Sequence, residues 1–149
     1  MKNNELRNDY EAEMRCERAY DEAERNNDEN GMNAARKAYK AWKAEIAKKD
    51  DAYVKLYRLY RDAQKRNNEL IDLSEVIWGK EVEPLIQSFR EYGIEQFTFS
   101  SGWSSAVETA WKFTQLGCKL EGMVEINGRT PAFLSDDLEK VHGYLFSVN

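Results

Sequence analysis

Between Gln96 and Gly117 the sequence QFTFSSGWSSAVETAWKFTQLG sets Ser100, Ser101, Ser104 and Ser105 around a glycine and ahead of a helical pattern. Three chemistries use such a stretch: a phosphate cradle, a nucleophile on a tight turn, or hydroxyl caps for a helix start. A helix start leaves amide protons without intrahelical partners, and serine side chains satisfy them. Glu108 stands three residues after Ser105, close to the spacing of a capping box. No Lys or Arg occurs between Arg90 and Lys112, and both the phosphate-loop spacing and the G-x-S-x-G elbow are missing. The stretch therefore predicts serine-capped helix over 104–116.

The remaining reactive side chains give little catalytic chemistry. His142 is the single histidine, so no histidine-based metal site or His–His acid–base pair is available. Cys16 and Cys118 lie far apart and outside metal-ligand spacing, which reads as two reduced thiols acting as small buried apolar groups. The paired carboxylates Asp136-Asp137 and Glu81/Glu83 sit in polar contexts that give no reason for a raised pKa. No catalytic residue, metal or cofactor is expected, and the chain reads as a non-enzymatic protein.

Two surface patterns are more specific. Glu5, Asp9, Glu13, Glu17 and Asp21 recur every four residues, which on a helix aligns carboxylates about 6 Å apart along one side. That is the scale of phosphate spacing along a nucleic-acid strand. The row reads either as a solvated face partly neutralised by its neighbours or as a DNA mimic that fits a basic cleft in another protein. The second pattern is ARKAYKAWKAEIAKKDDAYVKLYRLYRDAQKR, in which cations interleave with aromatic residues. Arg36, Lys40, Lys43, Lys55, Arg58 and Lys65 would contact phosphates in a nucleic-acid binder. Helical spacing instead separates the aromatics onto one face and the cations onto others, which favours a structural helix. Tyr53, Tyr57 and Tyr60 then supply surplus aromatic surface for a protein partner or a homodimer seam.

The elements that must position these residues follow from the same pattern. The chain has 149 residues, a net charge of −5 and a 33% share of charged side chains, against an average near 25%. The charge is uneven: residues 1–29 balance to −5, residues 30–70 to +6 and residues 71–149 to −6. No apolar run approaches the ~18 residues that a membrane span needs, and the N-terminus carries no secretory pattern, so a cytoplasmic location is expected. A helix is predicted from Leu6 to Asn26, a turn at NNDENGMN, and a second helical run from Asn33 to Arg66 with KKDD (Lys48 to Asp51) as its weak point, where Asp50 could open a new helix. The two runs pair as an antiparallel hairpin of acidic against basic helix, spanning residues 1–66.

Residues 67–149 change composition and read as a small α+β domain of order α-β-α-β-β with a closing strand. Leu70, Leu73, Val76 and Ile77 share a helical spacing; Pro84 starts or kinks a helix; Gly93 and Gly117 are natural C-terminal caps. Phe97 and Phe99 alternate as a strand does, and Ala106, Val107, Ala110, Trp111 and Phe113 form an apolar helical stripe. Asn127-Gly128 predicts a two-residue hairpin turn, Pro131 confines the return strand to an edge, and HGYLFSV closes the sheet.

Four pieces carry a resemblance: IW..EVEPLI (Ile77 to Ile86), FTFSS (Phe97 to Ser101), ETAWKFTQLGCKLEG (Glu108 to Gly122) and the final LFSV. Together they resemble a small C-terminal domain of phage and conjugative-element proteins of gut Firmicutes, over about half the chain. The helical arm lies outside the match, and no functional residue carries over. What the resemblance implies is a mobile-element protein, in a class that includes anti-CRISPR inhibitors of RNA-guided nucleases. The expected function is a non-enzymatic anti-CRISPR-like inhibitor that binds a Cas9-type nuclease or its guide complex through the acidic row and the tyrosines. The alternative is a nucleic-acid-binding accessory protein using the basic face of residues 36–66.

Overall fold

The computed structural model describes residues 2–149 and is α+β, with five helices and a four-stranded mixed sheet among them. Three helices come first: α1 (Lys2–Arg25), α2 (Glu29–Ala47) and α3 (Asp51–Lys65). They are followed by β1 (Asp72–Leu73), α4 (Gly79–Glu91), β2 (Gln96–Phe99), α5 (Ala106–Gln115), β3 (Lys119–Pro131) and β4 (Leu138–Ser147). The chain divides into two compact units, Met1–Val54 and Lys55–Asn149. The division falls inside α3, earlier than the 66/67 boundary expected from composition. The reason is chemical: Asp62 and Arg66, near the end of α3, bond to Asp72 and to residues of β3.

One device ends four of the five helices. At α1 the Asp28 amide reaches the Ala23 carbonyl and the Asn27 amide reaches that of Glu24, while Asn27 sits in the left-handed region at φ 52°. The same paired bonds close α3 at Asn67-Asn68, α4 at Gly93-Ile94 and α5 at Gly117-Cys118, each with a positive φ at the first of the two residues. These are Schellman motifs, which glycine and asparagine enter most readily. Asp28 also caps the next helix, its Oδ1 accepting from the Gly31 amide at 3.0 Å, so α1 and α2 turn back antiparallel with no loop to spare. The second run is two helices: Asp50 accepts the Tyr53 amide at 2.8 Å and starts α3.

In the second unit the strand order is β1-β2-β4-β3, with β1 parallel to β2 and the other pairs antiparallel. The core is a phenylalanine cluster. Phe97 of β2 lies 5.1 Å from Phe89 of α4, 5.1 Å from Phe113 of α5 and 5.4 Å from Phe146 of β4. Phe113 also meets Phe99 edge-on at 5.3 Å. Offset and edge-to-face packings of this kind add to the area buried.

Four sequence expectations require correction. Residues 70–77 form no helix; Asp72 and Leu73 pair with Thr98 and Phe99 instead, so sheet hydrogen bonds override a helical spacing of apolar residues. Asn127-Gly128 is not the turn but lies within β3, and the chain reverses at Ala132–Asp137. The Asn68 side-chain amide bonds both the N–H and the C=O of Asn127, at 2.9 and 3.0 Å, as a neighbouring strand would. Gly128 is needed for space: a Cβ there would stand 3.1 Å from the Glu139 carbonyl. No serine hydroxyl caps α5: Ser105 holds the cap position with helical dihedrals and makes no side-chain bond there, and Ser100 donates to Asp72 at 2.7 Å. Of the two readings of Pro84, the one that starts a helix there falls: α4 opens at Gly79 with Glu81 reaching back to the Trp78 amide, and Pro84 lies inside that existing helix.

The β3–β4 turn carries Leu134 at φ 56°. A left-handed conformation costs an L-residue with a side chain roughly 1–2 kcal/mol, and glycine none of it. Leu134→Gly is therefore expected to stabilise the second unit by up to about 1 kcal/mol in equilibrium unfolding monitored by tryptophan fluorescence, the relief of strain being offset in part by glycine's greater freedom in the unfolded chain.

Candidate interaction surfaces

The acidic row does not stand as a continuous exposed strip. Glu5 and Asp9 both accept from Lys49 Nζ at 2.8 Å, and the Tyr53 hydroxyl donates to Asp9. Trp42 Nε1 donates to the Asp9 carbonyl at 3.1 Å, and the Lys49 ammonium stands 4.4 Å from the centre of the Tyr53 ring. Glu13 is buried, Glu17 half-buried, and of the five only Asp21 is fully exposed. The pairing of acidic with basic helix expected from the charge blocks accounts for this: the ion pairs that hold the hairpin use the same carboxylates. Tyr53 and Tyr57 are buried and Tyr60 is half-buried, so the first two are core residues instead of spare docking surface.

Burial acts to lower the pKa of Lys49, but its hydrogen bonds and charge contacts with Asp9 and Glu5 outweigh that, and the net shift is upward. A raised lysine pKa supplies stability that is complete below the unfolded value near 10.4 and is lost as pH rises through the higher folded value. Lys49→Met is expected to destabilise the hairpin by about 1 kcal/mol at neutral pH. The gap between wild type and variant should close only above about pH 10.4, as read by urea titrations followed by circular dichroism. The Cys118 thiol is pushed up by burial, with Arg90 opposing in part, which keeps it protonated and unreactive.

The six cations of the basic pattern all have exposed positions: Arg36, Lys40 and Lys43 on α2, and Lys55, Arg58 and Lys65 on α3. Arg36 donates to the Tyr20 hydroxyl at 3.1 Å and lies 5.2 Å from that ring. Arg36, Lys40 and Lys43 border an open groove of about 490 Å³ between α1 and α2, whose less exposed lining is Cys16, Tyr20, Ala35 and Tyr39. Glu17 and Asp21 border it from α1. The hairpin thus brings acidic and basic candidates from the two sequence patterns to one place.

The surface that the sequence reading missed lies on α5 and the turn before it. Trp103, Val107 and Trp111 are 57%, 80% and 64% exposed, while Thr109 and Phe113 are buried. Residues 107 and 111 are one turn apart, and Trp103 stands four residues before Val107, its carbonyl accepting the Ala106 amide in the turn that leads into the helix. The apolar stripe of the sequence is really two stripes on opposite sides of α5. The signal was legible: 107/111 and 109/113 each repeat at four residues and differ by two, which on a helix points them apart. Trp78, just before α4, is 66% exposed as well.

Among the described residues no three His, Cys, Asp or Glu side chains converge as metal ligands, and no helix is long and apolar enough to cross a membrane. Buried polar chemistry is concentrated instead at Asp72, which accepts from Thr98 and Ser100 hydroxyls at 2.7 Å each and from Arg66 at 3.3 Å. These contacts tie α3, β1 and β2 together.

The described residues thus define a two-unit α+β protein, a helical hairpin followed by a unit that exposes tryptophans. A family described as a domain of unknown function (DUF7698) matches residues 55–148, and the chain belongs to that family. The match begins where the second unit begins. No curated protein and no solved structure matches the chain.

Proposed function

We propose that this protein is a non-enzymatic accessory protein of a mobile element that works by binding another protein, and that its partner is a host nuclease of the Cas9 type. The observation that carries the binding role is the Trp103–Val107–Trp111 ridge. Tryptophan is the residue most enriched among energetically dominant interface contacts, and large exposed apolar groups gathered at α5 and the turn that leads into it mark an interaction site. The resemblance to a domain of phage and conjugative-element proteins supports the choice of partner. Because Glu5, Asp9 and Glu13 are engaged or buried, the ridge takes the central role that the acidic row had in the sequence reading. Asp21 and the acidic remainder of the second unit contribute steering toward a basic channel.

The test is a cleavage assay with a guide-loaded Cas9-type nuclease, run beside calorimetry. Wild type is expected to bind and to suppress cleavage. Trp103→Ser/Trp111→Ser is expected to weaken binding by about a hundredfold or more, since removal of a central tryptophan costs about 2 kcal/mol or more. Its unfolding midpoint should stay within about 0.5 kcal/mol of wild type, as for other exposed positions. A variant that inhibits as well as wild type removes the ridge from the mechanism. A second reading rests on the exposure of all six cations. If the basic residues bind nucleic acid, affinity for single-stranded DNA or RNA must fall steeply with added salt, and a flat response eliminates it.

A further inference from the structure

The β3–β4 turn presents an apolar tip whose design runs against its own stability. Phe133 and Leu134 are 92% and 91% exposed, and Leu134 occupies a backbone conformation that suits glycine. The turn is nevertheless closed by hydrogen bonds. The Ala132 amide reaches the Asp137 carbonyl at 2.8 Å, the Ser135 amide reaches Ala132 at 3.1 Å, and the Asp137 amide reaches the Ser135 hydroxyl at 3.0 Å. Two bulky apolar side chains are thus held out in water on a fixed scaffold, with the exposed carboxylates of Asp136 and Asp137 behind them. Backbone outliers of this kind point to binding. The flanking carboxylates would be repelled by the anionic surface of a bacterial membrane, which argues against a lipid occupant.

The groove between α1 and α2 has the complementary chemistry. Its lining of Tyr20, Ala35 and Tyr39 offers apolar and aromatic surface, and its volume of about 490 Å³ lies within the range of ordinary binding clefts, about 300–1,000 Å³. Lys40 and Lys43 stand exposed at its border with no acidic partner among the described residues. Glu17 and Asp21 on the α1 side face the same groove, so a carboxylate-flanked guest is favoured only at the α2 border.

We propose that the Phe133-Leu134 tip of one copy docks in the α1–α2 groove of a second copy, with Asp136 and Asp137 against Lys40 and Lys43. Tip and groove are different surfaces, so two copies either exchange tips reciprocally as a closed dimer or pass them from copy to copy as a ring or a filament. It is independent of the tryptophan ridge and of the nuclease reading.

The experiment uses the full chain in sedimentation velocity over a range of concentrations at low and high salt. Wild type is expected to associate with rising concentration, and less so in high salt, because the charge contacts are exposed. Two variants break opposite ends: Phe133→Ser/Leu134→Asn removes the tip and Lys40→Glu/Lys43→Glu reverses the groove border. Each alone is expected to associate roughly tenfold or more weakly than wild type. Mixed, they are expected to form a one-to-one heterodimer and nothing larger. The intact tip of the groove variant then fills the intact groove of the tip variant, and no second junction remains. Heterodimer formation also shows that both variants are folded; circular dichroism checks each alone. A wild type that stays monomeric at every concentration overturns the proposal, as does a variant that associates like wild type, or a folded mixture that gives no heterodimer.

Discussion

Phe97→Ala is expected to destabilise the Lys55–Asn149 unit by about 3–5 kcal/mol, the range for removing a buried aromatic ring from a packed core. Phe97 is fully buried and touches three other phenylalanine rings from α4, α5 and β4, so its loss opens a cavity at the point where both helices meet the sheet. The surrounding rings are anchored on separate elements and cannot all collapse inward at once, which places the effect toward the upper end. For a unit of 60–100 residues each kcal/mol shifts the midpoint by about 4–8 °C, so a fall of roughly 12 °C or more is expected in scanning calorimetry. Val107→Ala on the same unit serves as control. Its side chain is exposed, and a change within about 0.5 kcal/mol is expected. Similar losses at the two positions would mean that the phenylalanine cluster is not the core.

Asp72→Ala is the second large effect, and its cause is polar. The Asp72 side chain is fully buried and is satisfied by two hydroxyls and the Arg66 guanidinium. Arg66, itself only 7% exposed, keeps its bond to Asp62 at 2.8 Å but has no hydrogen-bond partner at Nε. Removing Asp72 leaves buried positive charge with reduced compensation and orphans the Thr98 hydroxyl. Breaking a buried pair from one side costs about 3–5 kcal/mol. Asp72→Asn separates the terms, because the amide oxygen still accepts from a hydroxyl while the charge is gone. It should lose less than alanine but remain well below wild type in urea unfolding. Equal stability of all three proteins would show that the knot joining α3 to β1 and β2 is held by packing alone.

The parts of this fold that were legible in the sequence are those written in local chemistry. Gly93 and Gly117 end their helices as expected, the Asp50 weak point does divide the second helical run, and the alternation of Phe97 and Phe99 marks a strand, although Thr98 on its other face is buried as well. The elements that were misread depend on partners distant in sequence. Asp72-Leu73 has no strand signal of its own and becomes β1 only because Thr98 and Phe99 lie beside it. Asn127-Gly128 carries a strong turn signal that is overruled by Asn68, 59 residues away. The serines would suit caps, but Asp72 recruits Ser100. Among candidate site residues, exposure could not be inferred from pattern alone. The acidic row and the tyrosines were recognised as groups, yet Lys49 engages Glu5 and Asp9, and Tyr53 and Tyr57 belong to the core. The tryptophan surface is legible only when Trp111 and Phe113, two residues apart, are placed on different sides of α5.

In the proposed function, Trp103, Val107 and Trp111 are where this protein meets its partner. Hydrogen–deuterium exchange of the full chain, with and without a guide-loaded Cas9-type nuclease, reads that surface directly. Added nuclease is expected to slow exchange across residues 103–115 and to leave the Asp72 region, already buried, unchanged. Protection confined to α1 and α2 with residues 103–115 unaffected, or no protection anywhere, would contradict it.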